Sequence, residues 1–299
     1  MQQFCGLIAI VGRPNVGKST LLNHLIGEKI SITSRKPQTT RHRITGILTE
    51  DNCQFVFIDT PGLHKHEPRL INRHMNRAAS SSLLDVDAIV FVVDAGKWIG
   101  DDELVLSKLQ NTDVPVYLFI NKVDQLETKE ALFPTLEAHS KRYAFKEIIP
   151  GAALKGINIP ELKYELQKVL PQMDFMFPDD YITDRSERFL CAEIIREQLM
   201  RALGAEIPYS SSVEIEQFKM LPSGTIEIYA LILVERSGQK NIVIGEKGQG
   251  LKRIGTEARL NMEKLFGNKI LLKLWVKVKE GWADDERALK SLGYTDYDS

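Results

Sequence analysis

Gly12-Arg13-Pro14-Asn15-Val16-Gly17-Lys18-Ser19 decides the fold of the first half of this 299-residue chain. The octet fills every defined position of G-x-x-x-x-G-K-[ST]. A short apolar run, Leu7 to Val11, precedes it, and Ser19 to Ile26 after it predicts a helix. Strand, glycine loop and helix in that order form an anion cradle. The glycines admit phosphate oxygens close to backbone amides, and the helix start adds unpaired N–H groups. Lys18 is placed to reach the β- and γ-phosphates, Ser19 to ligate magnesium, and Thr20 to complete the phosphate-binding set.

Two further motifs narrow the ligand. Asp59-Thr60-Pro61-Gly62 follows the apolar run Gln54 to Ile58. Asp59 is placed to hold magnesium through water, and the Gly62 amide to sense the γ-phosphate as the next loop orders. Asn121-Lys122-Val123-Asp124 follows Val116 to Ile120. The Asp124 carboxylate can accept from guanine N1 and the exocyclic amine together. Adenine lacks that donor pair and would leave a buried charge partly unpaired. Asn121 ties the base-binding loop together. The three motifs in this order point to GTP and GDP, with Mg2+, and to catalysis by Lys18, Asp59, Gly62 and a switch threonine.

The surrounding pattern agrees. Arg43 to Leu48, Gln54 to Ile58, Ala88 to Val93, Val116 to Ile120 and Glu147 to Pro150 read as strands. Amphipathic stretches at 101–111, 129–143 and 162–170 lie between or after them. This is α/β alternation, a P-loop NTPase domain of the Ras-like GTPase kind, with ligand loops gathered at one sheet edge. The domain is expected over 1–170, followed by a linker at 171–178 between Pro171 and Pro178. Cys5, Cys53 and Cys191 are too widely spaced for a metal motif or disulfide framework and read as core thiols in a reducing, cytoplasmic compartment. No window reaches 18 apolar residues, so no membrane span is expected, and the start reads as a first strand, not a signal peptide.

Residues 179–299 carry a second pattern. Ser186 to Leu203 has helical spacing, Val213 to Phe218 and Thr225 to Val234 form a hairpin, and a glycine loop, a helix from Gly250 to Phe266 and a strand from Lys269 to Val278 follow. The chain's formal net charge is only -1, yet residues 236–279 hold eleven Lys or Arg against three acidic residues. Such a local excess favours nucleic acid. Gly245-Glu246-Lys247-Gly248 has the G-x-x-G spacing that clamps about four backbone nucleotides in K-homology domains. In this order of helices and strands the segment resembles the K-homology fold of prokaryotic proteins, which implies an α+β, type II KH domain that binds single-stranded RNA. Ile244, Lys247, Lys252, Arg253 and Arg259 are its candidate contacts, and Ile242, Leu251 and Ile254 its groove or core. Trp275 alternates with Lys273 and Lys277 and reads as core. Trp282, in a Gly-Trp turn, stays open as a stacking platform. The acidic run 284–286 reads as a solvated helix start, and no second catalytic cluster is evident.

Together these residues resemble the Era family of bacterial GTPases, within the translation-factor-like class. The likeness runs through Pro37 to Ile44, Asp59 to His64, Pro178 to Arg185 and Glu193 to Leu199 into the RNA-binding region, and so covers essentially the whole chain. It implies that one of Thr39 and Thr40, taken here as Thr40, meets magnesium and the γ-phosphate. The family's Ser-Ala-Leu-Lys-Gly guanine loop stands here as Ala152-Ala153-Leu154-Lys155-Gly156, so a hydroxyl is missing. The Ala153 N–H is expected on the guanine oxygen, a role that needs no side chain. After Gly62 comes Leu63, which cannot orient water as a glutamine would, and His64 is the next polar candidate. Asn15 occupies the place from which related GTPases hold K+. The resemblance further implies slow turnover, binding to the 3' end of 16S ribosomal RNA, maturation and assembly of the 30S subunit, and a peripheral association with the inner membrane.

Overall fold

A computed structural model describes residues 2–34, 36–62, 69–81, 85–128, 130–204 and 207–294. The chain divides into two compact units. The first comprises Met1–Ser31, Thr40–Glu67 and Met75–Asp184, and the second Ile32–Thr39, Pro68–His74 and Arg185–Ser299.

The first unit is built on β1 (Phe4–Val11), α1 (Lys18–Ile26), β2 (Ile44–Glu50), β3 (Cys53–Asp59), α2 (Leu70–Ser81, shared with the second unit), β4 (Ala88–Asp94), α3 (Gly100–Leu109), β5 (Val116–Asn121), α4 (Leu132–Ser140), β6 (Glu147–Pro150) and α5 (Ile159–Gln167). The strands form one sheet in the order β2-β3-β1-β4-β5-β6. Of these strands only β2 runs antiparallel, because the polar turn Thr49 to Asn52, with Asp51 at φ 52°, returns the chain directly into β3. The other strands are joined through helices, and β1, β3, β4 and β5 are buried on both faces, so Ala-Ile-Val-Phe-Val-Val in β4 is a continuous apolar run. One face packs Ala9, Ile58, Phe91 and Ile120 against Val105, Leu106 and Leu109 of α3. Parallel register aligns the strand ends: Ile10 lies beside Asp59, Asp94 beside Asn121, and Ile120 beside Pro150. Every nucleotide motif therefore leaves the sheet at the same edge.

The stretch expected as a linker belongs to this first unit, which extends to Asp184. The Gln54 side chain explains part of the difference. Its Oε1 accepts from the amides of Met176 (2.9 Å) and Phe177 (3.0 Å), and its Nε2 donates to the Phe177 carbonyl (2.9 Å). The Ile47 amide then donates to the Ile182 carbonyl at 2.9 Å, and the Thr183 hydroxyl to the Thr45 carbonyl at 2.6 Å. A buried glutamine with three backbone partners holds a segment that composition alone marks as loose.

The second unit contains α6 (Glu187–Ala202), β7 (Ser211–Met220), β8 (Ile226–Val234), α7 (Ser237–Ile244), α8 (Gln249–Phe266), β9 (Ile270–Val278) and α9 (Glu286–Ser291). Ser186 caps α6 by accepting from the Phe189 amide. The sheet order is β7-β8-β9, antiparallel then parallel. Ile226, Ile228, Ala230 and Ile232 point to a core closed by Ile195 and Leu199 of α6 and Ile254, Ala258 and Met262 of α8. Helices α2 and α7 go beyond what the sequence pattern predicts. The polar start of α7 is held by Gln239, whose Oε1 accepts from the amides of Glu235 and Arg236 at 2.9 and 3.0 Å. All three cysteines are buried free thiols. Among the described residues no helix is long and apolar enough to cross a membrane.

Candidate functional site

The loop after β1 turns through Gly12 (φ 153°), Asn15 (φ 65°) and Gly17 (φ 105°). A Cβ at Gly17 would stand 2.2 Å from Asn121 Nδ2, so the glycine permits both the turn and the close approach. Val16 is fully buried and its carbonyl is engaged by Asn121, so it shapes the loop from within. Arg13 is drawn away from the cradle. Its Nε donates to Asp102 at 3.0 Å and its Nη2 to the Lys97 carbonyl at 3.4 Å. Asp102, in the first turn of α3, has no motif to reveal it.

Lys18 is buried, and its Nζ donates to the carbonyls of Gly12 (2.9 Å) and Arg13 (3.0 Å). Burial pulls its pKa down to about 8, against the opposing pull of Asp59. A site that strips water from an ammonium in this way favours an arriving polyanion.

Below Lys18, three elements converge. Ser19 Oγ lies 2.7 Å from Thr40 Oγ1 and donates to Asp59 Oδ2 at 2.7 Å. Ser31 Oγ also donates to Asp59 Oδ2, at 3.0 Å. Asp59 Oδ1 is buried without a hydrogen-bond partner among the described residues. Desolvation raises the Asp59 pKa despite the nearby Lys18 charge. Two hydroxyls and a carboxylate with an orphaned oxygen suit a hard, oxygen-seeking dication such as Mg2+. The geometry also separates the two threonines. Thr39 Oγ1 is engaged by Ser34 Oγ (2.7 Å) and the Lys36 carbonyl (2.6 Å), whereas Thr40 meets Ser19. Ser31 lies in no recognisable spacing, so the sequence alone does not mark it.

The Thr60 hydroxyl donates to the Ile10 carbonyl at 3.1 Å, anchoring the turn instead of facing a nucleotide. A Cβ at Gly62 would lie 2.7 Å from the Pro14 backbone nitrogen, so the Pro61-Gly62 backbone closes on the phosphate loop. Leu63 and His64 lie outside the described residues.

At the base end, Asn121 Nδ2 donates to the Val16 carbonyl at 2.7 Å, and Asn121 Oδ1 accepts from the Ala153 amide at 2.8 Å. The Ala153 N–H therefore does not stand free for guanine, contrary to expectation, since one N–H serves one strong acceptor. Ala152 is buried, and Leu154 projects outward with 78% exposure. Lys122 Nζ donates to the Asn15 carbonyl (2.8 Å) and to Asp94 Oδ2 (2.7 Å). Burial opposes the Asp94 charge, but bonds from Lys122 and the Gly96 amide hold its pKa below the usual value. Asp124 Oδ2 pairs with Lys155 Nζ at 3.1 Å, which aims the carboxylate across the loop mouth.

The second unit presents the other candidate site. Helix α7 ends at Ile244, and the chain turns through Gly245 (φ 71°), Lys247 (φ 48°) and Gly248 (φ 80°) into α8. A Cβ at Gly245 would approach the Gly250 amide to 2.9 Å. Glu246, Lys247, Lys252 and Arg253 are exposed, and Ile244 is half-buried. A groove of about 400 Å³ runs between α8 and β9, lined by Gly248, Leu251, Lys252, Thr256, Leu272 and Leu274. Arg259 also borders it, with Nη1 held 2.8 Å from both Glu263 oxygens. Ile254 is core and Ile242 is exposed. The two tryptophans exchange places relative to expectation. Trp282 is fully buried, its Nε1 donating to the Ser210 carbonyl at 3.1 Å. Trp275 is 37% exposed, because residues two apart on a strand share a face and Lys273 and Lys277 are exposed with it.

Comparison with known proteins follows this division. A family profile described as "50S ribosome-binding GTPase" matches residues 7–122, and one described as "KH domain" matches 206–283. GTPase Era of Marinobacter nauticus is 59% identical over 293 residues, covering 98% of this chain and 96% of that protein. This chain belongs to the Era family of GTPases. Era of Glaesserella parasuis is 61% identical over 293 residues, with 98% of each chain covered. The crystal structure of a point variant of Aquifex aeolicus Era bound to GDP·AlF4- superposes with a TM-score of 0.94 at 39% identity, covering 98% of this chain and 99% of that one. A structure of Era with MgGDPNP and nucleotides 1506-1542 of 16S ribosomal RNA also gives 0.94, at 38% identity with the same coverage. As an Era-family GTPase, the chain pairs a P-loop α/β domain with a C-terminal KH domain.

Proposed function

We propose that this Era-family chain is a GTP-binding, slowly hydrolysing switch that binds the 3' end of 16S ribosomal RNA and assists maturation and assembly of the 30S subunit. The observation that carries the reading is the convergence of Ser19, Thr40 and Asp59 within 2.7 Å contacts below a buried Lys18, in a chain that also carries a G-x-x-G groove. The RNA identity is supported by the Era complex with nucleotides 1506-1542.

Hydrolysis of GTP to GDP and phosphate needs positioning and charge stabilisation more than covalent chemistry. Lys18 brings an ammonium to the β- and γ-phosphates and regains there the stabilisation that burial removes. Ser19, Thr40 and Asp59 would hold Mg2+, which supplies positive charge against the phosphates. The Gly62 amide would meet a γ-phosphate. Asp124 reads guanine from the loop that Asn121 ties to Ala153. Asn15 is the residue through which K+ would assist charge neutralisation. No glutamine follows Gly62, in keeping with slow turnover and a timing role.

On the RNA side, glycines at 245 and 248 let phosphates approach the backbone while Lys247, Lys252 and Arg253 neutralise them. Ile244 and Leu251 offer apolar contact, and Arg259 closes the groove's far end. The reading places the protein in the cytoplasm. The same basic surface would support a peripheral seat on the anionic inner membrane.

The deciding experiment measures affinity for RNA matching the 16S 3' end, with GDP and with a nonhydrolysable GTP analogue, against a scrambled strand at fixed salt. Selective binding that strengthens with the analogue is expected. Equal or negligible binding throughout would overturn the RNA-gated reading. If one basic surface serves both, Gly245→Asp should weaken binding to RNA and to anionic vesicles together, and loss of RNA binding alone would count against the membrane seat.

A further inference from the structure

The sheet of the KH unit has a second face. Even-numbered positions of β8 and β9 feed the core, so Tyr229, Leu271, Lys273, Trp275 and Lys277 lie on the opposite side. There Tyr229 and Trp275 meet edge to face at 6.0 Å, and Lys273 Nζ stands 4.6 Å over the Tyr229 ring while donating to its hydroxyl at 2.9 Å. Trp275 and Leu271 are 37% and 41% exposed. Leu231 and Leu233 on the same face of β8 are buried, so the part open to solvent is the β9 side, where Leu271, Lys273, Trp275 and Lys277 are exposed. Apolar side chains grouped with cations on a surface in this way mark an interaction site.

This face is continuous with the groove. A second hollow, lined by Arg259, Glu263, Asn268, Lys269 and Leu271, begins where the G-x-x-G groove ends at Arg259. Because β9 is the edge strand, a chain leaving the groove there passes Leu271 and reaches the outer face without crossing the sheet. The G-x-x-G groove itself holds only about four nucleotides.

We propose that the outer face of β8 and β9 is a second RNA subsite. A single strand seated in the groove continues around the β9 edge by way of Asn268 and Lys269. It stacks a base on Trp275, with Lys273 and Lys277 beside its phosphates. The chemistry is that of sheet-borne aromatics in other RNA-binding folds, where bases stack on rings and lysines follow the backbone. The proposal rests on the groove being an RNA site, and the test separates the two.

Full-length protein is titrated with an RNA of about four nucleotides and one about three times longer, both drawn from the 16S 3' end. Trp275→Ala should weaken the longer strand about tenfold and leave the shorter unchanged. Trp275→Phe should restore most of the loss. The longer strand should quench indole emission in the wild type and not in Trp275→Phe. Equal losses for both lengths, or no loss for either, would overturn the subsite. Unchanged binding of both strands by Gly245→Asp would instead remove the groove and, with it, the route to the outer face. Equal binding and equal quenching of the longer strand by W275A and wild type would likewise overturn the subsite.

Discussion

The side-chain amide of Asn121 donates to the carbonyl of Val16 at 2.7 Å, joining the phosphate loop to the base loop across 105 residues of chain. The same side chain accepts from the Ala153 amide, so one residue fixes the P-loop against the loop proposed to receive guanine. Asn121→Asp keeps the shape but puts an acceptor against the Val16 carbonyl. Losing a buried bond of this kind costs about 1–3 kcal/mol, so GDP affinity should fall about tenfold or more. Titration with a fluorescent GDP derivative checks this, and a variant of unchanged affinity would deny Asn121 its bridging role.

Asp124 pairs with exposed Lys155 and keeps its carboxylate at the base end. Asp124→Asn exchanges one acceptor for a donor, which fits xanthine better than guanine. GDP affinity should drop by about a hundredfold while XDP affinity rises. Competition between the two nucleotides reads the preference. Equal losses for both would place base recognition elsewhere.

Thr40 and Thr39 should separate cleanly. Thr40→Ala removes a hydroxyl from the Ser19–Asp59 cluster and should lower hydrolysis at least about tenfold, with a higher magnesium requirement and little change in GDP affinity. Thr39→Ala breaks bonds to Ser34 and Lys36 and should leave the magnesium requirement unchanged. Single-turnover rates across a magnesium series distinguish them. A reversed pattern would move the switch role to Thr39.

Lys18 gives a pH signature. Its pKa of about 8 lies below the ordinary 10.5, so between those values the unfolded chain binds more protons than the free fold. Stability of the nucleotide-free protein from this group therefore rises with pH across that window and is least below about 8. Bound phosphates favour the charged form, so binding takes up a proton above pH 8. GDP affinity should be flat below this value and fall by up to about tenfold per pH unit above it. Calorimetry in buffers of different ionisation enthalpy counts the proton. Release instead of uptake would contradict the assignment.

Asn15 lies in the left-handed region with its carbonyl held by Lys122, and is proposed to hold the assisting monovalent cation. Hydrolysis should be faster in K+ than in Na+ at equal ionic strength, and Asn15→Ala should erase the difference. Identical wild-type rates in both salts would leave Asn15 a shaping role alone.

The nucleotide site is legible in the sequence because phosphate and guanine recognition demand fixed residue types at fixed spacing. Lys18, Ser19, Asp59 and Asn121 stand where their motifs place them. What escapes such reading depends on the fold's third dimension. Ser31, Asp94 and Asp102 enter the site through packing between distant segments, with no local pattern to mark them. Helix α7 begins with Ser-Gly-Gln-Lys, which has little apolar periodicity, and rests on the Gln239 cap instead. Trp275 shows that alternation with lysine is no sign of burial, since i and i+2 on a strand look the same way. The assignment of residues 171–184 to the first unit turns on Gln54, whose burial no polarity scale would suggest.

That segment protects the molecule from itself. The outermost strand of a sheet offers free N–H and C=O groups, a template on which another copy can assemble. Here Ile182 and Thr183 take up part of the β2 edge. A fragment ending at Leu170 would uncover that edge and tend to self-associate, whereas one ending at Asp184 would remain monomeric. The short stretch that closes the first unit thus covers backbone groups on which a foreign strand could otherwise pair.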